Sequence, residues 1–296
     1  MSEEQRTMLD AVLRSSEFDI GGDLALQRKV FADMVATHPL PDDVAVGRST
    51  ISGVPVLDIR PPGAETGKTV FYLHGGAYTI GSAADGASLA ADVAGRTGYH
   101  ALSVDYRLAP EHPFPAAVDD ALAVYRALIE SGKSSEDISV VGESAGGGLA
   151  VATILAARDT GLPLPASVTV FSPFTDLTFS GQSLTGKAAV DPALTGAGLK
   201  IRAAEYIAGA DARSPLASPV FADLTGFPPL LIQVGGNEIL LDDATRLAAR
   251  AAENGVAVTL QVYPGVPHVF QGFAAMLDEG ALALDRAADF INQAWV

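Results

Sequence analysis

Short apolar runs alternate with longer amphipathic stretches over most of this chain. The segments at 54–60 (VPVLDIR), 69–73 (TVFYL), 101–104, 137–142 (DISVVG), 166–173 (ASVTVFSP), 229–235 (PLLIQVG) and 256–265 (VAVTLQVYPG) read as strands. Most are continuously apolar rather than alternating, which is the mark of strands covered on both faces. Helical stretches are predicted between them, at about 85–97, 113–131, 145–158, 242–254 and 276–293, with the PPGAETG segment (61–67) as a turn. Strand and helix in alternation imply an α/β fold built on a central, mostly parallel sheet. Crossovers are then right-handed and binding groups gather at the carboxyl ends of the strands.

Two regions break this rhythm. Residues 1–40 predict two helices, carrying Met8, Leu9, Val12 and Leu13, then Leu24, Leu26, Val30, Phe31 and Val35, with a break at Gly21-Gly22 and a stop at HPLP. Residues 176–219 are too long for an unstructured connection and read as a helical insertion that helps form a lid. The expected division is therefore an N-terminal cap at 1–45, a first part of the core at 46–175, a cap insertion at 176–219 and a second part of the core at 220–296.

Composition narrows the function. Of 296 residues, 48% are hydrophobic and 18% charged, enough to build a large interior. The start MSEEQRTMLD has neither a basic nor an apolar leader, and no run of about 18 apolar residues follows, so a cytoplasmic protein without a membrane anchor is expected. With 35 acidic against 19 basic side chains the net charge is -16, which argues against nucleic acid or an anionic lipid surface as partner. The absence of cysteine excludes disulfides, a thiolate nucleophile and cysteine-ligated metal.

The candidate chemistry begins at Gly142-Glu143-Ser144-Ala145-Gly146, a G-x-S-x-G sequence between a predicted strand and a predicted helix. Small flanking residues permit the sharp turn that would expose Ser144 Oγ and bring the next amide toward a developing oxyanion. A serine hydroxyl needs an imidazole base, and the imidazole needs an acceptor to fix its tautomer. Of the five histidines, His38 lies in the N-terminal appendage, His74 directly precedes two glycines, His100 begins a strand at the wrong end, and His112 lies in a tight PEHPFP turn. His268, in a loop after a late strand, is the expected base. The acid is expected between serine and histidine in chain order, which favours Glu238 just beyond the 229–235 strand. Asp242 is its rival, although Asp242 and Asp243 also suit the start of the next helix. Gly75 and Gly76, at the end of TVFYL, and Ala145 are the candidate oxyanion donors.

HGGAY at 74–78, DYRLAPEHPFPAA at 105–117, GESAGG at 142–147, NEILLDD at 237–243 and PGVPHVF at 264–270 together resemble, in order and over essentially the whole chain, the bacterial hormone-sensitive-lipase-like α/β-hydrolases. The resemblance implies an α/β-hydrolase fold with a helical cap and a serine carboxylesterase using Ser144, Glu238 and His268, with Gly75, Gly76 and Ala145 as oxyanion donors. It also implies a bracing network of Asp105, Arg107, Glu111 and His112, and it leaves a homodimer open. Three positions depart from the family pattern: Ala77 replaces the third glycine of HGGG, Glu143 the aspartate of GDSAG, and Glu238 the commoner aspartate.

The expected reaction is hydrolysis of short-to-medium acyl esters through an acyl-enzyme, with water as second substrate and neither metal nor organic cofactor. Met8, Leu9, Val12, Phe31, Met34, Leu199, Ile201, Tyr206 and Ile207 are expected to give the cap an apolar surface for a small uncharged ester. A lactone, carbamate or amide hydrolase with the same triad, and a non-catalytic receptor or interaction protein of the same fold, are the alternatives.

Overall fold

The structure, a computed structural model, describes residues 3–37 and 40–295; His38 lies outside them. Two helices, α1 (Glu3–Arg14) and α2 (Leu24–Ala36), come first, followed by the hairpin of β1 (Ala45–Ile51) and β2 (Val54–Arg60). The chain continues through β3 (Glu65–Leu73), α3 (Ala87–Thr97), β4 (Tyr99–Val104), α4 (Ala116–Glu130), β5 (Ile138–Glu143), α5 (Ala145–Asp159) and β6 (Ser167–Phe171). The short α6 (Ser183–Gly186) and α7 (Gly196–Ile207) occupy the predicted insertion, and β7 (Leu230–Gly235), α8 (Leu241–Glu253), β8 (Val258–Tyr263) and α9 (Asp278–Ala294) complete the fold.

The eight strands form one sheet in the order β1-β2-β4-β3-β5-β6-β7-β8. β2 runs antiparallel to both β1 and β4, and every pairing from β4 to β8 is parallel. Alternate side chains of β3 serve opposite faces, as strand geometry requires. Phe71 and Leu73 pack with α4 and α5, whereas Val70 and Tyr72 pack with α3 and α9. Burial on both faces accounts for the continuously apolar runs.

Two strand boundaries differ from expectation. β1 is exposed almost throughout, so it has no hydrophobic signature, and its pairing with β2 defines it instead. The connecting Ser52 and Gly53 both have positive φ, 51° and 83°, the backbone that a two-residue hairpin turn needs. β3 starts at Glu65 rather than Thr69, because part of the expected turn pairs with β4 through Glu65 and Tyr99 before an irregularity.

The N-terminal segment and the insertion meet. A Cβ on Gly21 would sit 2.7 Å from Gly198 Cα, so only glycine allows α7 to approach the N-terminal segment this closely. Arg202 Nη2 donates to Gly22 O at 3.1 Å. Gly21-Gly22, predicted as a helix break, is thus also a contact surface. Arg28 ties α2 to the sheet-bearing part of the fold by donating to Thr79 O, Ala109 O and the Glu111 carboxylate. Among the described residues no helix is long and apolar enough to cross a membrane.

Candidate active site

Register brings the parallel strands to a common edge. Leu73 pairs with Gly142, Glu143 with Phe171, and Gly235 with Tyr263, so the loops that follow these strands open on one side of the sheet. Ser144 lies immediately after β5 with φ 53° and ψ −119°, and α5 begins at the next residue. This backbone is strained for a non-glycine residue and persists because the surroundings dictate it. A Cβ at Gly146 would come within 2.1 Å of Leu73 O, so the first turn of α5 can lie against β3 only because position 146 is glycine. Ser144 N–H donates to Phe171 O at 2.9 Å, and Ser144 O accepts the Phe174 amide at 2.8 Å.

Ser144 Oγ lies 2.9 Å from His268 Nε2, and His268 Nδ1 lies 3.0 Å from Glu238 Oε1. Three residues from three strand ends, separated by up to 124 positions, form one hydrogen-bonded row. Glu238 is completely buried, and its second oxygen accepts from Ser172 Oγ at 2.7 Å and Gly235 N–H at 2.8 Å. Burial acts to lower the pKa of His268, but the facing Glu238 carboxylate, with Asp191 and Glu143, outweighs it and holds the imidazole above its ordinary 6.5.

Ser172 was not singled out from sequence; its position directly after a buried strand, at the same level as Ser144, was the available signal. Asp191, in the insertion, was also missed. Its Oδ2 accepts the Ile239 amide at 2.8 Å and steadies the chain just past Glu238.

The rival acid is occupied elsewhere. Asp242 Oδ2 accepts Ser183 N–H at 2.9 Å, while Asp243 accepts the amides of Thr175 and Asp176 at 2.7 and 2.8 Å. Both sit in the first turn of α8, yet they hold the segment entering the insertion. The other described histidines are also engaged away from this row. His74 stacks on Tyr106, with centroids 4.2 Å apart, and burial pushes its pKa down. His100 bridges Asp58 and Thr69 at the far end of the strands, and His112 donates its amide to Leu108 O.

The residues that the resemblance implies as a bracing network make the following contacts. Asp105 accepts Ala83 N–H, Arg107 pairs with Asp120, Glu111 pairs with Arg28, and His112 makes its backbone bond to Leu108.

The loop after β3 is unusually curved. Gly76, Ala77 and Tyr78 have φ of 112°, 51° and 62°, and a Cβ on Gly76 would meet Ile80 O at 2.0 Å. Gly75 N–H is directed to Glu143 Oε1 at 3.4 Å. The amides of Gly76 and Ala77 donate to no group among the described hydrogen bonds. Ala145 stands at the first position of α5, where a helix leaves its N–H groups without intrahelical acceptors.

Ser144 and His268 open onto an apolar cavity of about 240 Å³. Leu13, Phe18, Ile20 and Phe31 line it from the N-terminal segment, Leu194 and Leu199 from the insertion. Of the nine cap residues expected there, only Phe31, Met34 and Leu199 do so. Met8, Val12 and Ile201 point to solvent. Leu9 packs with Tyr263 and Phe270, and Tyr206 and Ile207 join the main core. Helical periodicity identified the apolar positions without saying which of two surfaces each would cover.

Comparison with known proteins agrees with this geometry. Residues 70–272 match a family described by the alpha/beta hydrolase fold. An acetyl-hydrolase of Streptomyces hygroscopicus is 43% identical, over 86% of this chain and 84% of its own. An esterase of Acinetobacter venetianus is 36% identical, over 89% of this chain and 87% of its own. A crystal structure of EstE5 soaked with p-nitrophenyl butyrate superposes with a TM-score of 0.95 at 41% identity, covering 99% of both chains. An esterase of the bacterial hormone-sensitive lipase family superposes with a TM-score of 0.96 at 40% identity over 100% of both. Fold, motif order and similarity along the whole length place this chain among the α/β-hydrolases, in the bacterial hormone-sensitive-lipase-like family of serine esterases.

Proposed function

We propose that this carboxylesterase cleaves short-to-medium acyl esters with Ser144 as nucleophile, His268 as general base and then acid, and Glu238 as the group that orients His268. The observation that carries this reading is the unbroken row of Ser144 Oγ, His268 and Glu238 at 2.9 and 3.0 Å. His268 takes the proton as Ser144 attacks the ester carbonyl, and returns it to the departing alcohol as the acyl-enzyme forms. Water then attacks the acyl-enzyme with His268 again as base, which releases the acid and restores Ser144. Glu238 keeps the proton on Nδ1, so that Nε2 faces the serine lone and ready to accept.

The oxyanion element is Gly75, Gly76 and Ala145. The amides of Gly76 and Ala145 receive the developing charge, helped by the positive end of α5. Gly75 carries the loop, and its N–H is directed to Glu143 Oε1 at 3.4 Å.

Ester and water are the substrates of this chemistry. Residues 1–45 and 176–219 act as one discontinuous cap, a reading supported by the Gly21 to Gly198 approach and by Arg202 reaching Gly22 O. The cavity between cap and core is smaller than the roughly 300–1,000 Å³ of sites for drug-sized ligands, which favours a small apolar acyl group.

An ester panel of increasing acyl length, run on the wild type and Ser144→Ala, tests the reading. Turnover should peak at short-to-medium chains and fall by about 10⁴-fold or more in the variant. Wild-type turnover in Ser144→Ala would remove the serine mechanism.

A further inference from the structure

Glu143 precedes the proposed nucleophile by one residue, and Gly75 precedes Gly76 by one. The strands that carry them are neighbours, with Leu73 paired to Gly142. Glu143 Oε1 accepts the Tyr72 hydroxyl at 3.0 Å and the Gly75 amide at 3.4 Å, so one carboxylate oxygen spans from the end of β5 to β3 and its outgoing loop. The two backbones nearly touch there. A Cβ on Gly75 would lie 3.2 Å from Ser144 Cβ and 3.3 Å from Glu143 O.

The same side chain faces the reaction. Glu143 lines the cavity together with Ser144 and His268, and its negative charge is among those that favour the protonated imidazole. Negative charge beside a developing oxyanion is unfavourable unless donors and a cation absorb it. Around Glu143 those groups are the Tyr72 hydroxyl from β3, the Gly75 amide from the loop after β3, and His268 from the loop after β8. Around His268 the charged groups are Glu238 after β7, Asp191 from the insertion and Glu143 after β5.

We infer that Glu143 is a positioning residue for acyl transfer: through Gly75 it holds the oxyanion loop at its working distance from Ser144. The inference rests on the proposed roles of Ser144 and His268. Burial pushes the carboxyl group toward protonation, so the bonds from Tyr72 and Gly75 are what keep an anion available. Glutamate in place of the family's aspartate supplies one more methylene with which to reach Gly75.

Steady-state kinetics for Glu143→Gln, Glu143→Ala and Ser144→Ala decide the matter. Glu143→Gln keeps an acceptor oxygen and loses the charge. It should retain kcat within about threefold, since its amide oxygen can still accept from Tyr72 and Gly75. Glu143→Ala loses both functions, and kcat should fall about 10- to 100-fold with KM nearly unchanged, approaching the loss of an oxyanion donor itself. Wild-type kcat in Glu143→Ala, or a Gln variant as impaired as the Ala variant, would each overturn the inference. Should Glu143→Ala not fold, Glu143→Ser, which also lacks the carboxylate, takes its place in the same comparison. An active Ser144→Ala would instead remove the underlying mechanism, so the two failures are distinguishable.

Discussion

Ser172 Oγ donates to Glu238 Oε2 at 2.7 Å while accepting the Val269 amide at 3.0 Å, so a single hydroxyl fastens the proposed acid to the residue beside the proposed base. Both Ser172 and Val269 have positive φ, 46° and 49°, and this bond helps to hold them there. Ser172→Ala should lower kcat about tenfold with little change in KM, because the ester does not contact this hydroxyl. It should also lower stability by about 1–3 kcal/mol, the cost of leaving a buried acceptor short of a donor. Steady-state kinetics and chemical denaturation measure the two effects.

In the proposed mechanism the raised pKa of His268 sets the pH dependence of hydrolysis. The imidazole must be neutral to accept the serine proton, so activity is lost as pH falls through its folded pKa. That pKa lies above the ordinary 6.5, chiefly because Glu238 opposes the effect of burial. The acid limb of kcat/KM for the free enzyme should therefore have its midpoint above 6.5. A midpoint below that value would contradict the charge arrangement around His268.

Asp243 predicts a different pH effect, on stability. Burial pushes its pKa up to about 8 although two amides hydrogen-bond to it. A carboxyl group with a raised folded pKa contributes stability that is fully present below its unfolded pKa, near 3.8, and lost as pH rises through about 8. Asp243→Asn preserves an acceptor oxygen without the charge. Its Tm should fall less than that of the wild type between about pH 4 and 8, as followed by thermal denaturation across that range.

Tyr206 is a test of how the cap is joined to the core. Its ring lies 3.9 Å from that of Tyr78 and nearly parallel to it, while its buried hydroxyl has no hydrogen-bond partner among the described residues. Tyr206→Phe should therefore be neutral or stabilising, since the phenol gives up an unsatisfied oxygen and keeps the stack. Tyr206→Ala should cost about 3–5 kcal/mol through the lost ring and the cavity it leaves. Calorimetry on both variants distinguishes packing from hydrogen bonding.

Much of the core could be read in the chain, because strands covered on both faces leave continuous apolar runs such as TVFYL and because a serine after β5 needs small neighbours. Ser144, Glu238 and His268 stood out by their places after strands, and they come together because parallel register aligns those strand ends. β1 was invisible because its side chains are exposed and its partner strand determines it. Ser172 and Asp191 were equally hidden. Their roles depend on hydrogen bonds across 66 and 48 residues, and no local pattern marks a serine or an aspartate for that use. The cap failed in a third way: a helix such as α1 presents apolar residues to the cavity at Leu13, to a satellite core at Leu9 and to solvent at Met8.

The contact of Gly21 and Gly22 with α7 also has a consequence for folding. The N-terminal helices are synthesised first, yet the backbone they dock against through Arg202 and Gly22 lies 180 residues later. Closing so long a loop is entropically costly, and it is repaid only when the later segment is already folded in place. The contact between Gly22 and Arg202 therefore ties the stability of the first helices of the chain to the folding of α7.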